Sequence, residues 1–181
     1  MTVAEKRERL RQIIQEKSFS AGGDFQLASG TGSSFYFDLK KTLFDPEGAT
    51  LVADVLFEAI RYDAVEQVGG LEIGAVPIAT AVAMRSWPER PIRAFFVRKE
   101  AKGHGTNKLI DGQYQDGGKT ILFEDVTTTG GSVMKAVDAV RKRGGTITKI
   151  VTIVDRLEGA KANLAKEGVE LAAIFTKDDF A

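Results

Sequence analysis

The alternation of apolar and polar positions divides the chain into strands and helices. Residues 3–17 place Leu10, Ile13 and Ile14 on one face among charged neighbours, the spacing of an amphipathic helix. Two short extended pieces follow at 24–27 and 35–39, flanking a turn-rich Ala-Ser-Gly-Thr-Gly-Ser-Ser segment at 28–34. Their aromatic residues and early position predict a small hood added to a main sheet. Asp45-Pro46-Glu47 then opens a helix, with Asp45 as its cap and Pro46 at the first helical position. Val52, Val55, Leu56, Ala59 and Ile60 are expected to form its buried face.

From there strand and helix patterns alternate. A strand at 64–68 closes on Gly69-Gly70, an apolar helix spans 76–84, and a strand covers 92–97. A long polar loop runs from Arg98 to about Gln115, before a strand at 119–123. A helix at 132–143 carries Val133, Ala136, Val137 and Val140 on one face and ends at Gly144-Gly145. A β-branched strand at 146–154, a helix at 159–167 and a strand at 169–175 complete the pattern. Such alternation predicts an α/β fold with a mostly parallel central sheet flanked by helices. We read residues 1–181 as a single domain, with the hood drawn mainly from about 1–45. Ligands of such sheets gather outside the carboxyl ends of the strands. Four segments converge there: 69–75, 98–108, 124–132 and Asp155-Arg156.

Composition narrows the chemistry. With 43% apolar and 28% charged residues and zero net charge, nothing suggests general attraction to nucleic acid or to acidic membranes. The absence of cysteine rules out disulfides, thiolate catalysis and Cys-based metal sites. No apolar run reaches membrane-spanning length, and the N-terminus lacks the apolar core of a secretion signal, so a cytoplasmic location is expected.

The segment Thr120-Ile121-Leu122-Phe123-Glu124-Asp125-Val126-Thr127-Thr128-Thr129-Gly130-Gly131-Ser132 is the most informative. It reads as a buried strand, two adjacent carboxylates, a tight hydroxyl-rich loop and a helix start. Backbone N–H groups and the helix dipole make the loop an anion site, with phosphate the obvious ligand. The carboxylates would repel a bare phosphate. They suit a ligand that also carries hydroxyls or a cation, such as a ribose phosphate with Mg²⁺. Upstream, Arg-Lys-Glu-Ala-Lys-Gly-His-Gly-Thr-Asn-Lys at 98–108 is basic in a neutral chain and holds its only histidine. A glycine-bracketed cationic loop beside a phosphate loop suggests a lid over a polyanion. His104 has no second His or Cys to share a metal with, and serves better as a donor to phosphate.

These residues resemble the type I phosphoribosyltransferases. I-L-F-E-D-V-T-T-T-G-G-S at 121–132 is similar to that family's motif for phosphoribosyl diphosphate (PRPP), and R-K-E-A-K-G-H-G at 98–105 to the mobile loop of the branch that acts on orotate. F-Q-L-A-S-G at 25–30, G-G-L-E-I-G at 69–74, P-I-A-T at 77–80 and V-D-R at 154–156 fall in the same order. The resemblance implies Mg²⁺-dependent transfer of a phosphoribosyl group from PRPP to orotate, giving orotidine 5′-monophosphate and diphosphate in pyrimidine synthesis. It implies a homodimer with shared active sites, and Mg²⁺ held mainly through PRPP rather than by a protein metal site. Asp125, Val126, Thr127, Thr128, Thr129, Gly130, Gly131 and Ser132 would hold the 5′-phosphate, with Glu124 and Asp125 facing the ribose hydroxyls. Arg98, Lys99, Lys102 and His104 would hold diphosphate, several of them across the dimer. Thr128 and Arg156 would meet orotate, and the backbone around Tyr36 and Phe37 would pack against its ring. Lys102, His104 and Asp125 are the catalytic candidates.

The residue types fit that chemistry independently. Displacement at the anomeric carbon builds positive charge on ribose and negative charge on the departing diphosphate. Carboxylates favour the first, and Arg98, Lys102 and His104 the second. Some family members have Lys where Ala28 stands, a basic residue near Gly32 and Lys in the segment matched by Leu71-Glu72-Ile73. This chain lacks all three, which leaves Lys40 or Lys41 to replace a contact. Glu124 stands where others have Asp. Two alternatives stay open: transfer to a purine or another base, against which residues 98–104 and 35–37 argue, and a PRPP-sensing regulator, which predicts a basic face or added helix-turn-helix.

Overall fold

The computed structural model describes residues 1–26, 32–100 and 108–180. Helix α1 (Val3–Lys17) starts at a capping box between Thr2 and Glu5 and buries Leu10, Ile13 and Ile14, as their spacing requires. Strands β1 (Phe19–Gln26) and β2 (Gly32–Phe37) form a two-stranded antiparallel hood. β1 begins earlier than the expected 24–27, because Phe19, Ser20 and Ala21 pair with Phe37, Tyr36 and Phe35. A single helical turn, α2 (Lys40–Leu43), follows where the sequence suggested no element. It is seated by buried Leu43 and by a 2.7 Å hydrogen bond between the Thr42 and Ser18 hydroxyls.

Helix α3 (Pro46–Ala59) is capped by Asp45, whose carboxylate accepts from the Gly48 N–H at 2.9 Å. Its buried face holds Val52, Val55 and Leu56 as expected, together with Leu51, Ala53 and Phe57. Ala59 is exposed, correcting its assignment to that face, and Ile60 is buried just past the helix end. The main sheet has six strands in the order β5-β4-β3-β6-β7-β8: β3 (Gln67–Gly69), β4 (Arg93–Val97), β5 (Ile110–Gly112), β6 (Lys119–Thr127), β7 (Thr146–Asp155) and β8 (Leu171–Thr176). All pairs are parallel except β4 with β5. β5 was expected as part of a loop. It is an edge strand of three residues, too short to leave a periodicity.

Helices α4 (Ala75–Ser86), α5 (Gly131–Lys142) and α6 (Ala160–Lys166) complete the layers. Ile121 and Phe123 of β6 join the core under α1, α3 and α4, while Leu122 joins the core under α5 and α6. That is the period-two alternation of a strand buried on both faces. Hydrophobic burial on both sides holds the centre of the sheet rigid and projects its carboxyl ends as a fixed row. Among the described residues no helix is long and apolar enough to cross a membrane.

Candidate active site

β6 does not stop at Phe123, as expected from its apolar run. Glu124, Val126 and Thr127 remain paired with Thr152, Val154 and Asp155 of β7. The two carboxylates therefore sit on the last strand residues, with backbone positions fixed by the sheet rather than by a loop. Beyond Thr127 the chain turns through Thr128 and Thr129. Gly130, with φ of 85°, then starts α5 in a left-handed conformation that favours glycine.

These residues border a cleft of about 520 Å³, within the usual size for a small-molecule site. Its lining brings together ten of the sequence-selected residues: Tyr36, Phe37, Lys99, Glu124, Asp125, Val126, Thr128, Thr129, Ser132 and Arg156. It adds Lys40 and the stretch Leu71 to Gly74, part of a segment the sequence had placed at the sheet edge. Thr127, Gly130, Gly131 and Arg98 are not in the lining. Lys102 and His104 lie outside the described residues.

Glu124 is buried, and Ser132 Oγ donates to its Oε1 at 3.0 Å. Burial first, and then the negative charge of Asp125, push the Glu124 carboxyl up to about 8. Asp125 is also raised by burial, but the Val126 N–H, at 2.9 Å from Oδ1, and the charge of Lys40 oppose that rise. At neutral pH Glu124 is thus predominantly protonated, beside an Asp125 carboxyl whose rise Val126 and Lys40 restrain. Together they can donate to one hydroxyl and accept from another. Gly74 fits closely against this pair: a Cβ there would stand 2.6 Å from Asp125 Oδ1. Gly74, the last glycine of G-G-L-E-I-G, was legible as part of a motif, but its contact with Asp125 was not.

Arg156, expected from the sequence to meet an anionic ligand, is almost fully buried while still bordering the cleft. Its Nε donates to Glu158 at 2.9 Å, its Nη2 donates to Ser33 Oγ at 2.9 Å, and its guanidinium lies 4.4 Å from the centre of the Phe35 ring. The Arg156 N–H donates to the Thr127 carbonyl at 2.9 Å, tying the end of β7 to the end of β6. Arg98 stands at the border of the cleft: its Nε donates to Asp111 on β5 at 2.6 Å, and its Nη1 lies 4.0 Å from Oε2 of Glu72 in the lining. Lys99 remains in the cleft wall, and its backbone N–H donates to Glu72 at 2.9 Å. The Phe37 side chain is buried, packing against Phe19 and Phe180, so only its backbone side can serve a ligand, whereas Tyr36 is partly exposed. The cleft's carboxylate and hydroxyl oxygens are hard donors of the kind Mg²⁺ prefers. Among the described residues no group of three or more His, Cys, Asp or Glu is arranged around a metal position.

The sequence matches the family model of the phosphoribosyl transferase domain over residues 41–178. It is 46% identical, over 185 aligned positions, to the orotate phosphoribosyltransferase of Rhodopseudomonas palustris (strain BisB18), covering 99% of this chain and 98% of that protein. The crystal structure of Mycobacterium tuberculosis H37Rv orotate phosphoribosyltransferase in complex with Fe(III) dicitrate superposes with a TM-score of 0.85 at 34% identity, covering 97% of this chain and 99% of that one. The structure of the M. tuberculosis H37Rv enzyme in complex with PRPP gives a TM-score of 0.80 at 29% identity, covering 98% and 92%.

Proposed function

The chain belongs to the phosphoribosyltransferase family, among the orotate phosphoribosyltransferases, and on that premise we propose that it transfers the phosphoribosyl group of PRPP to orotate in pyrimidine biosynthesis, with Mg²⁺. The observation that carries this reading is the convergence of Glu124, Asp125, the 128–132 loop and Arg156 on one cleft. A ligand with a phosphate, adjacent hydroxyls and a second anionic part matches that arrangement. The solved relative in complex with PRPP supports the choice of donor.

The residues from Asp125 to Ser132 hold the 5′-phosphate, where the N–H groups at the start of α5 face an anion. Glu124 and Asp125 meet the ribose hydroxyls. As the bond to diphosphate breaks, Asp125 stabilises positive charge on the sugar, and Lys99, Lys102 and His104 stabilise negative charge on the leaving group. Arg98, whose Nη1 lies 4.0 Å from Glu72 of the cleft lining, joins them. Thr128, Arg156 and the backbone at Tyr36 and Phe37 hold orotate, an anion suited to a planar guanidinium. Mg²⁺, when bound, would be held mainly through the oxygens of PRPP, with Asp125 the nearest carboxyl of the chain to assist, and would supply charge neutralisation on the diphosphate. Several cations of the 98–105 loop act on the neighbouring subunit's site in a homodimer, in the cytoplasm.

An assay of orotate loss with PRPP and Mg²⁺, run beside adenine, guanine and xanthine, tests the reading. Turnover with orotate alone is expected. Turnover only with a purine would replace it with the reading of another nucleobase.

A further inference from the structure

We infer that Lys40 is a donor-binding residue: its ammonium, standing on the cleft wall beside Asp38 and within the field of Asp125, takes up a diphosphate oxygen of the bound donor. This rests on the phosphoribosyl-donor reading above.

Charge makes a further cation necessary. The cleft is lined by Glu72, Glu124 and Asp125, yet its donor is a polyanion. Of the described cations nearby, Arg98 stands between two carboxylates, Asp111 and Glu72, and Arg156 is held by Glu158 and Ser33 where the hood meets β7, whereas Lys40 spends one of its three N–H donors on Asp38. Lys40 and Lys99 are the two described ammonium groups in the lining. Lys40 Nζ lies 2.8 Å from Asp38 Oδ1, and that contact raises the lysine's pKa and keeps it charged. Its charge also reaches Asp125.

Location assigns the part of the donor. Gly74 lies against the Asp125 carboxylate, and the charge of Lys40 acts on the same carboxylate, so Lys40 and the Glu72-Ile73-Gly74 segment meet around Asp125 in the cleft lining. Asp125 faces the ribose in the functional reading, and a cation beside it is within reach of the diphosphate carried on the same sugar. The support is firm: α2 is fixed through buried Thr42 and Leu43, so Lys40 leaves a seated turn rather than a free loop. Its neighbour Lys41 is exposed and does not line the cleft.

Calorimetric titration of inorganic diphosphate with Mg²⁺, and separately of ribose 5-phosphate, into wild type, Lys40→Met, Lys40→Arg and Lys41→Met tests this. Loss of one charged hydrogen bond should weaken diphosphate binding by roughly 10- to 100-fold in Lys40→Met. Lys40→Arg should recover most of it, Lys41→Met should match wild type, and ribose 5-phosphate binding should be unchanged in all four. Equal weakening in Lys41→Met would mean general charge, and equal weakening for ribose 5-phosphate would mean damage to the cleft. Either result, or unchanged diphosphate binding in Lys40→Met, overturns the inference. Absence of orotate turnover in wild type would instead overturn the functional reading, which the titrations do not measure.

Discussion

Ser132, in the first turn of α5, donates its hydroxyl to Glu124 at the end of β6, at 3.0 Å. The contact closes the loop between strand and helix and steadies a carboxyl that burial and Asp125 have pushed up to about 8. Such a group binds its proton more tightly in the folded state than in the unfolded state. Between the ordinary glutamate range and about pH 8 the unfolded state ionises first, so the group lowers stability as pH rises. Glu124→Gln should remove that loss. Its thermal midpoint should approach wild type near pH 4 and exceed it increasingly up to about pH 8, a stability difference on the order of a few kcal/mol. Parallel midpoint curves for the two proteins would refute the shifted carboxyl.

Gly74→Ala places a methyl group against the Asp125 carboxylate. The backbone at Gly74 is ordinary right-handed helical, so the substitution acts through displacement of Asp125 rather than through the backbone. Turnover should fall by about 100-fold, the scale of a displacement near 1 Å at a reacting centre, while the circular dichroism spectrum stays that of wild type. Steady-state kinetics within threefold of wild type would show that Asp125 has room to move.

Arg156→Ala removes the guanidinium and leaves Glu158 and Ser33 without their partner. The KM for orotate should rise by roughly 10- to 100-fold, with a much smaller change for PRPP. Losing the arginine's hydrogen bonds and its packing on Phe35 should also destabilise the protein, by about 1–2 kcal/mol, since Glu158 stays in reach of water. Ser33→Ala tests the two roles separately, since it removes only one support of the arginine. Its KM for orotate should rise by less than that of Arg156→Ala, and equal effects would place the binding energy in hood geometry.

Lys102→Ala should leave PRPP binding and folding near wild type while lowering kcat by about 100- to 1000-fold, the loss expected for one preorganised charge on a leaving group. Single-turnover kinetics with prebound PRPP measure this directly, and a near-normal rate would remove Lys102 from the chemistry.

The elements most legible in the sequence were those in which local chemistry and burial agree. The apolar spacing of α1, the Asp45-Pro46 start of α3 and the Val133-to-Val140 face of α5 all follow from side chains near in sequence. The end of β6 was not legible, because Glu124, Asp125 and Thr127 read as loop residues until β7 supplies their partners. The early start of β1 was hidden in the same way: Ser20, Ala21 and Gly22 have little strand preference, and pairing with β2 imposes the conformation. In the site, the hydroxyl-rich loop and the acids announce an anion and a sugar. The Arg98–Asp111 pair could not be read, since it depends on a three-residue edge strand. Arg156 was visible as a cation at a strand end, but its burial against Phe35 and Ser33 depends on where the hood folds back.

Strand order separates two kinds of inheritance. The residues proposed to hold the donor lie at or just past the ends of β3 and β6, adjacent at the centre of the sheet, whereas Arg156 follows the next strand, β7, and leans on the hood. Neighbouring strands keep a spacing of about 4.8 Å whatever side chains they carry. The sheet therefore acts as a gauge that holds sugar and base at bonding distance while the surfaces touching each are free to diverge. A lineage can exchange one base for another by altering the hood and the end of β7, and keep an unchanged apparatus for the activated sugar.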